Sequence, residues 1–339
     1  MVELYMKKEA IEIKKAIDSS EKILLHCHPE PDSDSIGSVL AMKRYLKSLG
    51  KDTTAIIGDS KYPTNLMTAF PLETEIEEKS MKDINLIDYD LFIILDSASL
   101  SQISRETDII FPSTLKTIAI DHHKSNTKFA DINLVLDDYS STTMVLYDLF
   151  EELGIKVDKE MALYLFLGLY FDTGGFQFPY TSPHSFEVAT KLTKINPHFH
   201  QAVFDVGNSK KEEELILMGL ALSSISKHCG GKVVLSSLPY ATLQKHGISR
   251  EDAATYGVIP STLKTVIGWD IAASLVEAEP NITKITFRTR DQNRYDVSKI
   301  ATNVGEGGGG HAGAAGTRVL GNIEEAKKEL LEYIEKNVL

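Results

Sequence analysis

Apolar residues in the first half of the chain follow two rhythms. "KILLH" (22–26), "TTAIIG" (53–58), "LFIILD" (91–96) and "KTIAID" (116–121) are short, nearly continuous runs of aliphatic residues bounded by polar stretches. Runs of this kind predict strands buried on both faces. "SIGSVLAMKRYLKSLG" (35–50) instead repeats its apolar positions at helical spacing and stops at Gly50, a residue suited to the position after a helix end. "SSTTMVLYDLFEELG" (140–154) and "KEMALYLFLGLYFDTGG" (159–175) predict two more helices, the second almost wholly apolar and therefore buried. The alternation predicts an α/β fold with a mostly parallel sheet and helices on both faces. Ligands in that architecture gather beyond the carboxyl ends of the strands.

From 186 to 228 the pattern is helical and more polar, with "KKEEELILMGLALSSISKH" as its strongest piece. The last third restarts with "KVVLSSLP" (232–239), "DIAASLVEAEP" (270–280) and "ITKITFRTR" (282–290), and closes in an amphipathic helix from 322. The expected organisation is a first domain over 1–185, a helical linker over 186–228 and a smaller α/β domain over 229–339. Apart from the glycines at 307–310, no low-complexity tract or internal repeat is evident.

Composition narrows the function. The 339 residues are 42% hydrophobic and 25% charged, as in ordinary globular proteins. A net charge of −12 argues against a protein that coats long nucleic acid, which needs a broad basic surface. It leaves room for a small anionic substrate held by metals and a local basic patch. Cys27 and Cys229 are too few for a disulfide framework, which points to a reducing compartment. "MVELYMKKEAIEIKK" lacks the apolar core of a signal peptide, and the apolar run Met161 to Phe171 is too short for a span of about 20 residues. The expectation is a cytoplasmic protein without a membrane partner.

The candidate chemistry sits at strand ends. The first run leads into "HCHPEPDSDSIGS", which carries His28, Asp32 and Asp34; "LFIILD" ends at Asp96; "IAIDHH" ends at Asp121, His122 and His123. Asp172 follows the apolar helix. One charge after an apolar strand marks only the strand's exit into water, but parallel strands bring several such ends to one edge. Carboxylate and imidazole ligands suit Mn²⁺, Mg²⁺ or Fe²⁺. Six or seven of them exceed what one ion with open positions needs, and fit two ions sharing a bridging carboxylate, an arrangement suited to phosphoryl transfer. His26 and Cys27 read as core residues, Glu30 as a turn residue, and Asp137 and Asp138 as loop and helix-capping residues.

These segments resemble the motifs of the DHH phosphoesterase family. "HPEPDSD" matches its first motif, "ILDSA" the second, "DHH" at 121–123 the third and "FDTGGF" the fourth, while "GGGGHAGAAG" (307–316) resembles the signature of the DHH-associated C-terminal domain. The resemblance spans essentially the whole chain, in family order. It implies a two-domain phosphoesterase with two divalent ions, usually Mn²⁺. His28 and Asp32 would hold one ion, Asp34, His122 and Asp172 the other, and Asp96 would bridge them. His123 would face the scissile phosphate with Asp121 orienting the histidine pair, and a hydroxide between the ions would attack.

In the C-terminal domain the glycine run would form a flexible loop in which Gly308, Gly309 and Gly310 let backbone N–H groups approach an anion, and His311 would add a donor to the substrate. Residues 284–299 carry five Lys/Arg against two Asp, a local excess suited to phosphate. Arg288 matches the family's substrate-binding arginine, and Arg290 is a further candidate. Among relatives, a two-domain chain is most similar to the nano-RNase/3′-phosphoadenosine 5′-phosphate phosphatase group. That implies a short oligoribonucleotide or (cyclic) dinucleotide substrate, with c-di-AMP hydrolysis or non-catalytic nucleotide binding as alternatives. Glu30 departs from the family pattern by adding a carboxylate close to the metals. Preferred substrate, polarity, resident metal and oligomeric state, a homodimer being one option, stay open.

Overall fold

The computed structural model describes residues 2–105, 108–249, 253 and 258–339. The chain divides by packing into two compact units, Met1–Ser209 and Lys210–Leu339. The stretch expected as a linker is shared between them. Helices Pro183–Ile195 and His200–Asn208 belong to the first unit, and helix Glu212–Ser223 belongs to the second.

The first unit is built on five parallel strands, β1 (Lys22–His26), β2 (Asp52–Ile56), β3 (Leu91–Leu95), β4 (Lys116–Asp121) and β5 (Ile132–Val135), in the order β2-β1-β3-β4-β5. The first four are the apolar runs visible in the sequence. β5 is shorter and only half-buried, so it carried a weaker signal. Because the chain leaves β1 for β2 on one side and later enters β3 on the other, strand order reverses between β1 and β3. Such a switch point opens a crevice beyond the strand ends. Alternate side chains feed two cores. Ile23, Leu25, Ile93, Leu95, Ile118 and Ile120 pack against helices Ser33–Ser48, Thr142–Glu152 and Lys159–Asp172. Leu24, Ile56, Phe92 and Ile94 face the other way, onto Met81, Ile103, Leu115 and their partly buried neighbours. That second face is covered thinly, by short 3₁₀ turns such as Met81–Asp83 and Leu86–Asp88.

The second unit holds a six-stranded mixed sheet. Its strands are β6 (Ser226–His228), β7 (Val233–Leu238), β8 (Ile271–Glu279), β9 (Ile282–Thr289), β10 (Glu306–His311) and β11 (Ala314–Leu320), in the order β10-β11-β9-β8-β7-β6. One face is covered by helices Val297–Asn303 and Ile323–Asn337, which pack on Leu275, Ile285, Phe287 and Val319. On the other face a second core joins Leu217, Val234, Leu243, Ile259, Leu263, Ala272 and Val276, and covers β7 and β8. Lys284, Thr286 and Arg288 of β9 and Ala314, Gly316 and Arg318 of β11 also point to this second face, where they are half-buried or exposed. The glycine run expected as a flexible loop is the edge strand β10, paired antiparallel with β11.

Candidate active site

His28, Asp32 and Asp34 follow β1, Asp96 follows β3, Asp121 ends β4, and His122 and His123 follow it. Asp172 closes helix Lys159–Asp172, which packs closely on helix Ser33–Ser48. Donor atoms fall into three overlapping groups, each within 4.8 Å: His28, Asp32 and Asp96; Asp34, His122 and Asp172; and Asp96, His122 and His123. Asp96 joins the first and third, with its Oδ2 3.5 Å from His28 Nε2 and its Oδ1 3.7 Å from His122 Nε2. His122 Nε2 also lies 3.4 Å from Asp172 Oδ2 and 3.9 Å from Asp34 Oδ2.

Backbone features set this geometry. Asp32 is the N-cap of helix Ser33–Ser48, and its Oδ1 accepts N–H bonds from Asp34 (2.9 Å) and Ser35 (3.0 Å). Asp34 accepts the Thr142 (2.7 Å) and Thr143 (2.9 Å) N–H groups at the start of helix Thr142–Glu152, plus the Thr143 hydroxyl at 2.6 Å. Thr142 Oγ1 donates to Asp96 Oδ1 at 2.9 Å. Asp96 itself has φ 55°, a left-handed conformation that Asp and Asn tolerate better than most side chains.

The histidines are oriented from behind. His28 Nδ1 is 3.1 Å from the Pro29 carbonyl and His122 Nδ1 is 3.2 Å from the Tyr139 carbonyl, which anchors each ring by Nδ1 and leaves Nε2 facing the carboxylates. Asp121 is fully buried; it accepts from His122 N–H at 2.8 Å, from Asn126 at 2.7 Å and from His123 Nδ1 at 2.7 Å. The His123 ring is 38% exposed. Its hydrogen bond to Asp121 and the charge of Asp96, against partial burial, push its pKa up to about 9, so it is a cation at neutral pH.

The acids repel one another. Burial, then the charges of Asp96, Asp172 and Asp32, hold Asp34 well above the usual carboxylate range. Burial with Asp96 and Asp32 pushes Asp172 up to about 8. Asp96 goes the other way, since His28, His122 and His123 outweigh its burial and hold it below that range. Burial and the same acids push the neighbouring Tyr180 phenol up to about 12. Asp172 Oδ2 is buried and accepts no hydrogen bond. An unsatisfied buried carboxylate oxygen is costly unless a cation meets it. The all-oxygen-and-imidazole donor set therefore fits hard or borderline divalent ions. A cavity of about 310 Å³ adjoins the acids, lined by Asp32, Asp34, Pro63, Asn65, Phe171 and Asp172 among others.

The other expected residues have plain placements. His26 and Cys27 are fully buried. Glu30 lies on the surface, 3.3 Å from the Arg105 guanidinium, which balances the carboxylate that departs from the family pattern. The cap of helix Thr142–Glu152 is Ser141 rather than Asp137 or Asp138, which lie in the preceding turn. Sequence reasoning missed Thr142, Thr143 and Asn126. "YSSTT" is visible as a capping cluster, but nothing in it says which carboxylate its donors meet.

On the second unit, the register sets His311 opposite Ala314, and Ala314 opposite Arg288, so the three share one cross-strand row and one face. Across two strand spacings of about 4.8 Å each, only a methyl group separates the histidine from the guanidinium. The next row is Thr286, Gly316 and Gly309, nearly bare of side chains. Arg288 is half-buried and in no ion pair among the described residues; burial lowers its pKa. Arg290 Nη1 instead donates to the Lys264 and Thr265 carbonyls, at 3.2 and 2.9 Å. Gly308 is required by packing, since a Cβ there would lie 1.7 Å from the Ala301 carbonyl oxygen, and Gly310 is confined by Ala314 and Ala315. A Cβ on Gly309 would meet nothing within 4 Å.

Fold and site together define a hydrolase of the metal-dependent type, with acids and histidines gathered at the carboxyl edge of a parallel sheet. The chain belongs to the DHH phosphoesterase family: residues 22–169 match the DHH family N-terminal domain and residues 218–338 the DHHA1 domain. It is 28% identical over 328 residues to the bifunctional oligoribonuclease and PAP phosphatase NrnA of Thermus thermophilus, covering 96% of this chain and 93% of that protein. A probable manganese-dependent inorganic pyrophosphatase of Streptococcus mutans is 28% identical over 183 residues, 51% of this chain and 55% of that one. The crystal structure of an exopolyphosphatase-related protein from Bacteroides fragilis superposes with a TM-score of 0.84 at 25% identity, covering 97% and 96% of the two chains. No helix among the described residues is long and apolar enough to cross a membrane.

Proposed function

We propose that the protein hydrolyses very short oligoribonucleotides, such as pApA, and the terminal phosphate of 3′-phosphoadenosine 5′-phosphate, using two divalent ions, most simply Mn²⁺. The observation that carries this reading is the convergence of six ligand side chains at the β1/β3 switch point in a chain similar over its length to an oligoribonuclease and PAP phosphatase. His28 and Asp32 would hold one ion, Asp34, His122 and Asp172 the other, with Asp96 shared. Bound ions would lower the pKa of water and neutralise charge on the phosphoryl group.

This chain's residues do the rest. His28 and His122, anchored at Nδ1 by backbone carbonyls, would present Nε2 to the ions. His123, held at Nδ1 by Asp121, would present its Nε2 to a phosphate oxygen, where charge develops. In residues 229–339, the proposed substrate-holding domain, Arg288 and His311 offer donors from one row to an anionic end. The Gly309 row beside them allows close approach of the ligand to the backbone. Arg290 would add its positive charge from its place beside the 258–263 helix.

The test is hydrolysis by the purified protein with Mn²⁺ of pApA, short RNA oligomers, 3′-phosphoadenosine 5′-phosphate and c-di-AMP. The expected result is chelator-sensitive cleavage of the first three in preference to c-di-AMP. No cleavage of any of the first three would overturn the reading.

A further inference from the structure

Beside the carboxylates lie aromatic rings that neither the core nor the proposed chemistry uses. After Asp172 and Thr173 the chain turns through three consecutive residues of positive φ: Gly174 at 60°, Gly175 at 64° and Phe176 at 66°. For a bulky residue such as Phe176 this conformation is strained, and such strain gathers at functional sites. Thr173 holds the turn. Its carbonyl accepts the N–H groups of Gln177 and Phe178, each at 3.0 Å, and its hydroxyl oxygen accepts that of Phe176 at 3.1 Å.

The turn folds the next residues back over the metal-ligand residue. The Tyr180 hydroxyl donates to the Asp172 carbonyl at 2.9 Å, and Ser140 Oγ donates to the Tyr180 carbonyl at 2.9 Å. The Phe178 ring covers Gly174 so closely that a Cβ there would lie 2.6 Å from a ring carbon. Phe176 is satisfied by stacking on Phe186, at 4.9 Å between centroids and 28°. Phe178 and Tyr180, 5.8 Å apart and tilted by 54°, stay 47% and 49% exposed. The segment that carries them is tied to Asp172 on one side and, through Ser140, to the start of the helix that holds Asp34 on the other.

We infer that Phe178 and Tyr180 form a stacking platform for a nucleobase of the substrate, within one nucleotide's reach of the acids that receive its phosphate. The inference rests on the proposed phosphoesterase reading and adds how the nucleoside part is held. A flat uncharged ring is the occupant this surface suits. Half-exposed aromatic faces offer area for stacking, and every base presents a π-face. Stacking of this kind is tolerant of base identity.

The test compares wild type, Phe178→Ala, Phe178→Leu, Phe178→Trp and Tyr180→Ala in the full chain with Mn²⁺. The readouts are the KM for pApA and calorimetric binding of AMP and of ribose 5-phosphate, with manganese content as the check on the metal site. Losing a stacking ring costs on the order of 5- to 100-fold in affinity. Phe178→Ala and Phe178→Leu should therefore raise the KM and weaken AMP binding by about that factor, while ribose 5-phosphate binding and manganese content hold. Tyr180→Ala should do the same for AMP, and Phe178→Trp should restore it. If pApA is cleaved but the alanine variants keep the wild-type preference for AMP over ribose 5-phosphate, the platform is overturned and the hydrolase reading stands. If Phe178→Leu behaves as wild type, stacking is likewise overturned. Wild-type protein that cleaves none of pApA, short RNA and 3′-phosphoadenosine 5′-phosphate overturns both.

Discussion

The carboxyl edge of the first sheet and the open face of the second solve opposite problems. At the first, Asp34, Asp96 and Asp121 are buried and locked by helix-start N–H groups, the Thr142 and Thr143 hydroxyls and Asn126. At the second, His311 is exposed and Arg288 is in no ion pair among the described residues. A metal centre needs donors held close together against their mutual repulsion, so its geometry is fixed within the fold. A surface that takes up an anionic end would keep its cations out of ion pairs until the ligand arrives, and among the described residues Arg288 meets only the Phe287 carbonyl, at 2.8 Å.

The largest effect is expected at Asp96. Asp96→Asn keeps a side chain that tolerates φ 55° and nearly the same shape, but removes the shared charge. Turnover should fall by about 10³-fold, roughly 4 kcal/mol of transition-state stabilisation. Retention of more than about a tenth of wild-type turnover in steady-state assays would break the assignment of Asp96 to both ions.

Asp172 separates metal binding from stability. Its folded pKa of about 8 lies above the ordinary carboxylate value, so between about pH 4 and 8 the folded chain binds a proton that the unfolded chain has lost. Metal-free stability should therefore decrease as pH rises through that window, by on the order of a few kcal/mol. Asp172→Asn should flatten that decline in chelator while losing manganese. Parallel thermal melts of the two proteins from pH 4.5 to 8.5 measure it, and identical slopes would contradict the repulsion.

On the open face the effects are smaller and leave the metal alone. Arg288→Ala and His311→Ala should each lower kcat/KM for pApA by about 10- to 100-fold, with manganese content unchanged. Metal loss in either variant would place that residue in the wrong region. The glycines sharpen this further. Gly308→Ala drives a Cβ into the Ala301 carbonyl and should lower the Tm, whereas Gly309→Ala has room. Gly309→Ala should melt near wild type, within about 0.5 kcal/mol, yet raise the KM several-fold. An unchanged KM would show that no ligand comes close to Gly309.

The two regions also differed in how well the sequence revealed them. His28, Asp96 and Asp121 follow or end aliphatic runs, and parallel pairing alone brings such ends to one edge, so this site could be read before the fold was known. What bonds to them could not. Thr142 and Thr143 lie 108 and 109 residues from Asp34, and only tertiary packing makes them its donors. On the second unit the signal failed for another reason. Glycine has little β-propensity, so "EGGGGH" read as a flexible loop, yet it pairs as β10 because Gly308 and Gly310 fit where no side chain would. The 3₁₀ turns over the second face of the first sheet carry no periodicity to detect.

The most direct test of the central claim is turnover of pApA by the full chain, freed of metal and titrated with Mn²⁺. If His28, Asp32, Asp34, Asp96, His122 and Asp172 form one centre for two ions, turnover stays low through the first equivalent and rises to its plateau at the second. A plateau at one equivalent, or no turnover at any manganese concentration, would contradict it.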